Sequence, residues 1–363
     1  MSNMDLVVTG GGTGGHIYPT LAVAAAAAAD GATIRYLGSY RGQERAICKA
    51  SNIEFKSFDA QPIYSMKTPA GWLSAIRLVR ASSDARRYLR KNRPELVFST
   101  GGYSAAPVVS AARSLRIPYV IHESNSVPGR SNAMFVKASR FFTCTFEATK
   151  SVIPKAERTG QPVRKELRVA ANKQRTEPAT SRDVVLGIGG SQGSTFLNKT
   201  LIEAAKDFSK KRCRFVLAAG RNNFMEVQQT LSSPEAPDNF KAVTYLELPD
   251  LVDTYGKTVI AVGRSGGTVA EMAMFGLPSV LIPLPTAFAN HQMINAQEME
   301  RIGGAVVLDQ AKTSGKELAN AIRYWLESPE KREAARTSLQ EWDIPDATER
   351  IYSKLIAALA APA

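Results

Sequence analysis

The chain has 363 residues, 44% of them hydrophobic, and a formal net charge of +13 at pH 7. That length suggests two domains with packed cores, and the basic balance implies an anionic partner: nucleotide, nucleic acid or membrane surface. No apolar run approaches the roughly 20 residues of a membrane-spanning helix, and the three cysteines, Cys48, Cys144 and Cys213, lie too far apart for a disulfide framework or a zinc site, which fits a reducing cytoplasm.

Asp5–Thr9 reads as a strand. The chain enters it almost at once, so no signal peptide is expected. "GGGTGGHIYP", Gly10 to Pro19, follows, then an alanine-rich helix over Leu21–Ala29 and a second strand over Thr33–Leu37. This opening resembles a dinucleotide-binding unit, which needs an acidic residue at the end of the second strand. That position reads Leu37-Gly38-Ser39-Tyr40-Arg41, and Asp30 lies on the wrong side of the strand. No Gly-Lys-Ser/Thr is present, so a P-loop is excluded and NAD becomes a minor alternative.

Residues 63–93 interleave Ile63, Met66, Trp72, Leu73, Ile76 and Val79 with Lys67, Arg77, Arg80, Arg86, Arg87, Arg90, Lys91 and Arg93. Half or more of these apolar residues are expected to be core of an amphipathic helix. Trp72 and Leu73 follow a Pro-Ala-Gly turn and are expected at the surface. A second glycine turn, "STGGYSAAP", follows the strand Leu96–Phe98, with a helix over Val108–Ser114. Tyr119–Ile121 is the next strand and ends at "HESNSVPGRSN", His122 to Asn132. Such polar strand ends are where α/β folds put ligands. Phe141–Cys144 is a short strand, and "GQPVR", ending at Arg164, closes the first half. Residues 170–182 read as a polar linker or loop.

Strands are then expected at 184–188, 214–218 and 242–246. "GGSQGSTFLN", Gly189 to Asn198, sits between the apolar strand Val184–Leu186 and a helix. Strand, glycine turn and helix together cradle a phosphate, with close backbone approach and helix N–H groups facing the anion; the plain alternative is a tight turn with no ligand. A strand over Val259–Val262 leads into "RSGGTVAEMAMFGLP", with a helix over Thr268–Phe275 and Glu271 in its first turn. Val280–Ile282 is a strand, and "HQMINA" follows from His291. The tail Thr348–Leu359 is helical and apolar on one face. Two α/β halves are expected to face one another across a cleft. The charge is uneven: residues 1–163 hold 21 Lys and Arg against 10 Asp and Glu, and the remainder holds 25 against 23.

In this order, the glycine turns, "HESNSVPGRSN", "GQPVR", "RSGGTVAEMAMFGLP" and "HQMINA" resemble the MurG family of glycosyltransferases over nearly the whole chain. The resemblance implies an α/β, GT-B fold of two Rossmann-like domains: residues 1–163 for the acceptor and membrane, residues 164–345 for UDP-GlcNAc, and a last helix within 346–363 packing back on the first domain. It implies transfer of N-acetylglucosamine from UDP-GlcNAc to the C4 hydroxyl of the muramyl sugar of lipid I, with inversion. Another UDP-sugar enzyme of this fold, a glycolipid synthase or a UDP-GlcNAc 2-epimerase, is the alternative.

The resemblance places Ser191, Gln192 and Gly193 at the UDP phosphates, Glu271 at the ribose and Leu246 beside the uracil. Gly267, Thr268, His291, Gln292 and Asn125 join the donor set, as do Thr13, Gly14 and Gly15 of the first glycine loop. Arg164 is expected to pair with a phosphate, or else to be a solvated hinge residue. Gly101, Gly102 and Tyr103 are assigned to the acceptor. His16 is the candidate general base, with His122 orienting its loop. Trp72, Leu73, Ile76, Arg77 and Arg80 are assigned to an anionic membrane surface on the cytoplasmic face, with other cell-wall synthesis proteins as further partners and no nucleic acid. No Asp-x-Asp metal motif is evident, and no cofactor is required; Mg²⁺ is at most a stimulant. Two departures stand out. The "RSG…TVAE" loop has one residue fewer than is usual, with only Gly267 before Thr268, and Thr286 stands where many members carry a histidine.

Overall fold

The computed structural model describes residues 4–62, 67–176, 182–190 and 193–360. The chain divides into two compact units, Met1–Arg164 with Asp346–Ala363, and Lys165–Pro345.

The first unit carries seven strands: β1 (Asp5–Gly10), β2 (Thr33–Ser39), β3 (Glu54–Phe58), β4 (Leu96–Gly101), β5 (Tyr119–Glu123), β6 (Phe141–Cys144) and β7 (Glu157–Arg158). They form one parallel sheet in the order β3-β2-β1-β4-β5-β6-β7. Continuous apolar runs such as Leu6-Val7-Val8 suit this position, because crossover helices bury both faces of a parallel sheet. Leu6 and Val8 join Ile17, Val23 and Ala27 in one core cluster, and Val7 joins the helices over residues 69–92 and 105–114 in another. The helix Ala347–Ala360 buries Ile351, Leu355 and Ala358 in the first of these clusters. Two further bonds hold it there: Tyr352 Oη donates to Asp30 at 2.7 Å, and Lys354 Nζ pairs with Glu157 at 2.7 Å.

The second unit has six strands: β8 (Val184–Ile188), β9 (Arg214–Ala218), β10 (Phe240–Val243), β11 (Thr258–Gly263), β12 (Ser279–Leu281) and β13 (Ala305–Val307). They form a parallel sheet in the order β10-β9-β8-β11-β12-β13. Its core joins Val185, Leu197, Leu201, Phe215 and Ile260 to Leu318, Ile322 and Trp325.

Two readings of the chain need correction. The strand expected at 242–246 is Phe240–Val243, because Phe240 pairs in register with Phe215 and stacks on its ring at 5.9 Å; Leu246 lies beyond its end. The expected linker at 170–182 is helical as far as Thr176, within Lys165–Thr176. Leu167 and Ala171, four residues apart, are buried, and Arg168 and Arg175 both pair with Asp343. The polar composition belongs to the outer face of that helix.

Candidate active site

In each sheet the strand order reverses beside the first strand of the unit, between β1 and β4 and between β8 and β11. Chains leave such a pair of strands in opposite directions and open a crevice at their carboxyl ends. All four glycine turns singled out in the sequence follow these four strands.

At the first reversal, the helix Gly14–Ala29 begins directly after the turn, seven residues earlier than the alanine run suggested. Thr13 is its exposed N-cap residue, and Gly14, Gly15 and His16 form its first turn. The turn is pressed against the β4 turn. Gly11 N donates to Gly101 O at 3.2 Å, and a Cβ on Gly102, whose φ is +85°, would lie 2.0 Å from Gly11 O. Only glycine serves there. Tyr103 lies against Gly12. His16 Nδ1 is 2.9 Å from the Thr100 carbonyl. A carbonyl can only accept, so Nδ1 carries the proton and the neutral ring keeps its lone pair on Nε2. Thr20 and Thr100 both donate to the His16 carbonyl at 2.8 Å and fix the residue from the other side. Arg164 places its guanidinium over the Tyr18 ring, 4.6 Å from the centroid.

At the end of β5, His122 is fully buried between Thr143 and Thr145, and burial pushes its imidazole down to about 4. It stays neutral near pH 7. Beside it is a residue that sequence reasoning passed over. The buried carboxylate of Glu123 accepts from the Asn125 N–H at 3.0 Å, Asn125 Nδ2 at 3.2 Å, Gly129 N–H at 3.0 Å and Asn132 Nδ2 at 2.7 Å. It shapes the whole loop and orients Asn125.

At the second reversal, Ser191 and Gln192 lie outside the described residues. Gly193, with φ +74°, follows them; a Cβ there would fall 2.2 Å from Ala219 O. Ser194 caps the helix Thr195–Ala205 by accepting the Leu197 N–H at 3.3 Å. Its Oγ also accepts Arg264 Nη2 at 2.8 Å. Arg264 is only 8% exposed and donates to the carbonyls of Ile282 and Pro283 at 2.8 and 3.2 Å. It thus ties the ends of β8, β11 and β12 together, and sequence reasoning missed both residues. Ser194 had a signal, a serine just before an apolar helix; the burial of Arg264 had none.

Gly267 is the N-cap residue and Thr268 the first residue of the helix Thr268–Met274. Glu271 accepts the hydroxyl of the fully buried Tyr255 at 2.7 Å, and Tyr255 packs on Phe275. Gln292 Oε1 accepts the Leu284 N–H at 2.9 Å, and the Gln292 carbonyl accepts Ser265 Oγ at 2.6 Å. His291 Nδ1 lies 2.9 Å from the Phe288 carbonyl. Leu246 is buried in the segment before the helix Leu248–Lys257.

The helix Pro69–Asn92 forms a separate surface. Thr68 caps it, and its buried side is made of small residues, Gly71, Ser74, Ala81 and Ala85, with Leu89. Trp72, Leu73, Ile76 and Val79 all face outward, Trp72 at 62% and Val79 at 69% exposure. The expectation that half the large apolar residues are core fails here, because small residues already fill the contact. Arg80 is exposed. Arg77 instead turns to Gln61 at 2.8 Å and Asp59 at 3.7 Å. Ile63 and Met66 lie outside the described residues.

Among the described residues no helix is long and apolar enough to cross a membrane, and no group of His, Cys, Asp and Glu could hold a metal ion. Cys48, Cys144 and Cys213 are buried free thiols. Burial pushes them up to about 12, 12 and 11, which leaves them unsuited to nucleophilic work.

Two open parallel sheets with glycine turns at both reversals form a two-unit α/β frame, and residues 6–143 and 184–351 match the N-terminal and C-terminal domains of glycosyltransferase family 28, which makes the chain a glycosyltransferase by class. The chain is 34% identical over 357 residues to the UDP-N-acetylglucosamine–N-acetylmuramyl-(pentapeptide) pyrophosphoryl-undecaprenol N-acetylglucosamine transferase of Lactococcus lactis subsp. cremoris strain MG1363, covering 96% of this chain and 98% of that one. The enzyme of the same name from Bacillus subtilis strain 168 is 31% identical over 362 residues, covering 97% and 99%. A crystal structure of Acinetobacter baumannii MurG superposes with a TM-score of 0.76 at 25% identity, covering 98% of this chain and all of that one. The chain belongs to the MurG family. A UDP-GlcNAc 2-epimerase from Neisseria meningitidis, at TM-score 0.72 and 16% identity, shares the fold alone.

Proposed function

We infer that the chain transfers N-acetylglucosamine from UDP-GlcNAc to the C4 hydroxyl of the N-acetylmuramyl sugar of lipid I, giving lipid II for peptidoglycan synthesis. Similarity to the curated transferases along nearly the full length supports the substrates. The observation that carries the chemistry is the His16–Thr100 hydrogen bond, which leaves Nε2 as the proton acceptor. The acceptor hydroxyl attacks the anomeric carbon and gives its proton to Nε2. The bond from that carbon to the UDP oxygen breaks, the electron pair leaves with UDP, and the centre inverts.

The second unit takes the donor. Ser191, Gln192 and Gly193 hold the phosphates at the start of a helix, whose dipole favours an anionic leaving group. Arg264 and Ser194 keep that turn in shape. Glu271 accepts the ribose hydroxyls, and the Leu246 segment lies along the uracil. Gly267, Thr268, His291 and Gln292 meet the sugar and its phosphate. In the first unit, Asn125 and the N–H groups of Thr13, Gly14 and Gly15 meet donor groups, Gly101, Gly102 and Tyr103 meet the acceptor, and Arg164 leaves Tyr18 for a phosphate. No metal step is required, and Mg²⁺ is at most a stimulant.

The exposed stripe Trp72, Leu73, Ile76 and Val79, with Arg80 beside it, brings the chain to the anionic cytoplasmic face of the membrane that holds the acceptor. Other cell-wall synthesis proteins are partners there. Mass spectrometry of products from UDP-GlcNAc and a lipid I analogue tests the transfer. The acceptor should gain one N-acetylhexosamine, with UDP released only when acceptor is present. Appearance of the C2 epimer by proton NMR, or release of UDP without acceptor, would point to the epimerase alternative, and no turnover would sink both.

A further inference from the structure

We propose that Glu44 is a positioning residue for the transfer, holding the first glycine turn in its working shape through the Gly12 amide. Glu44 begins the short helix Glu44–Ala50 yet is completely buried. An acid in the first turn of a helix is usually a solvated group that favours the helix dipole. This one turns inward, and its Oε1 accepts the Gly12 N–H at 3.1 Å, 32 residues back along the chain. Two glycines make the room. A Cβ on Gly11 would fall 1.8 Å from Oε1, and one on Gly42 would fall 1.7 Å from Oε2. Oε2 has no hydrogen-bond partner and is buried. Burying a carboxylate with one oxygen unsatisfied is costly, and an apolar side chain would fill the place at less cost. Packing alone therefore does not account for an acid here.

The turn at Gly10–Gly15 spends its inward amides on two acceptors, Gly11 N on Gly101 O and Gly12 N on Glu44. Gly12 sits at φ +94° with the Tyr103 ring against it, so a bond that fixes Gly12 also fixes where Tyr103 lies. The helix that carries His16 starts two residues later. Glu44 acts through the backbone from which these side chains project. The role rests on the assignment of His16 and its turn to the transfer.

Steady-state kinetics of the full chain with UDP-GlcNAc and a lipid I analogue test this, beside UDP affinity by calorimetry. Small displacements of a catalytic group cost up to about a hundredfold, so E44A and E44D, the latter one methylene too short, should each lose about ten- to a hundredfold in kcat/KM for the acceptor. UDP affinity should stay within about twofold, and E44Q, whose amide oxygen still accepts the Gly12 N–H, should recover to within about fivefold. E44A/H16A should be little slower than H16A alone, since both changes act on one turn. Equal losses in E44Q and E44D would overturn the role, as would UDP affinity falling in step with thermal stability. If E44A does not fold, the contrast between E44Q and E44D carries the test. A silent H16A removes His16 as the base without touching that contrast.

Discussion

The two units repeat one device with opposite charge behind it. Both place a glycine turn where the strand order reverses, and both start a helix at the end of that turn. Behind the first turn lies the buried carboxylate of Glu44; behind the second lies the buried guanidinium of Arg264, bonded to the capping Ser194. Both turns lead from a parallel strand into a helix, and what differs among the described residues is the side chain that supports each. A buried cation adds to the helix dipole and suits the diphosphate site proposed at that turn. The carboxylate of Glu44 acts instead as an acceptor, holding the Gly12 N–H of the turn that leads into the His16 helix. The two glycine turns differ in the buried side chain that supports them, an acceptor for one amide in the first and a charged donor to the capping serine in the second.

The largest effect should come from breaking the first turn's chemistry. His16→Ala removes the one Nε2 lone pair aimed from that helix, and loss of a general base costs about 10²–10⁴ in rate. kcat should fall by that order, with UDP affinity nearly unchanged. A kcat within about threefold of the wild type would place the base elsewhere or leave the work to water. His122 does not substitute, because burial holds its imidazole near 4 and both its nitrogens are engaged by threonines.

Next comes the second turn. Arg264→Met removes a charged donor from Ser194 and from two carbonyls. A hydrogen bond to a charged group contributes about 1.5–3 kcal/mol to the fold, and the displaced turn should weaken UDP binding by up to about a hundredfold. Burial holds the guanidinium below its ordinary range, but it remains charged at any working pH. Calorimetry with UDP and thermal unfolding read the two consequences separately. A lowered Tm with unchanged UDP affinity would make Arg264 a purely structural strut, and the contrast of buried charges would lose its functional half.

Much of this was legible in the chain. Apolar runs such as Val184–Leu186 and Phe141–Cys144 are too short for helices and read as strands, and the glycines between strand and helix marked each reversal. What could not be read was long-range. Glu44 and Arg264 reach their partners across 32 and 70 residues, and no local pattern reports such a bond. The helix Lys165–Thr176 was hidden because its buried stripe is thin, just Leu167 and Ala171, and its arginines answer to Asp343 near the far end of the unit. The helix Pro69–Asn92 was misread in part for the reverse reason. Its large residues look like core by composition, yet Gly71, Ser74, Ala81 and Ala85 already provide the contact surface.

That helix carries the smallest expected effect and a different kind of site. Trp72, Ile76 and Val79 stand at helical spacing on one face, and Leu73 flanks them. Exposing four large apolar residues in one stripe costs solubility unless something covers them. The residues around them favour the membrane surface proposed above. The first 163 residues carry an excess of 11 positive charges, and Arg80 is exposed beside the stripe, whereas Arg77 is committed to Asp59 and Gln61. An anionic bilayer surface satisfies both features, through an inserted indole and about 1 kcal/mol for each nearby Lys or Arg. Attraction of this kind is screened by salt, so binding should be peripheral and reversible. In vesicle co-sedimentation it should follow anionic lipid content and weaken at high salt. Trp72→Ala/Leu73→Ala should reduce it more than Arg80→Gln, since each Arg contributes only about 1 kcal/mol, and Arg77→Gln should change it least. Activity on a soluble acceptor analogue should survive all three, because none of these side chains belongs to either glycine turn. Equal binding to neutral vesicles, or full binding by the Trp72/Leu73 variant, would mean that the basic unit meets its lipid substrate through another face.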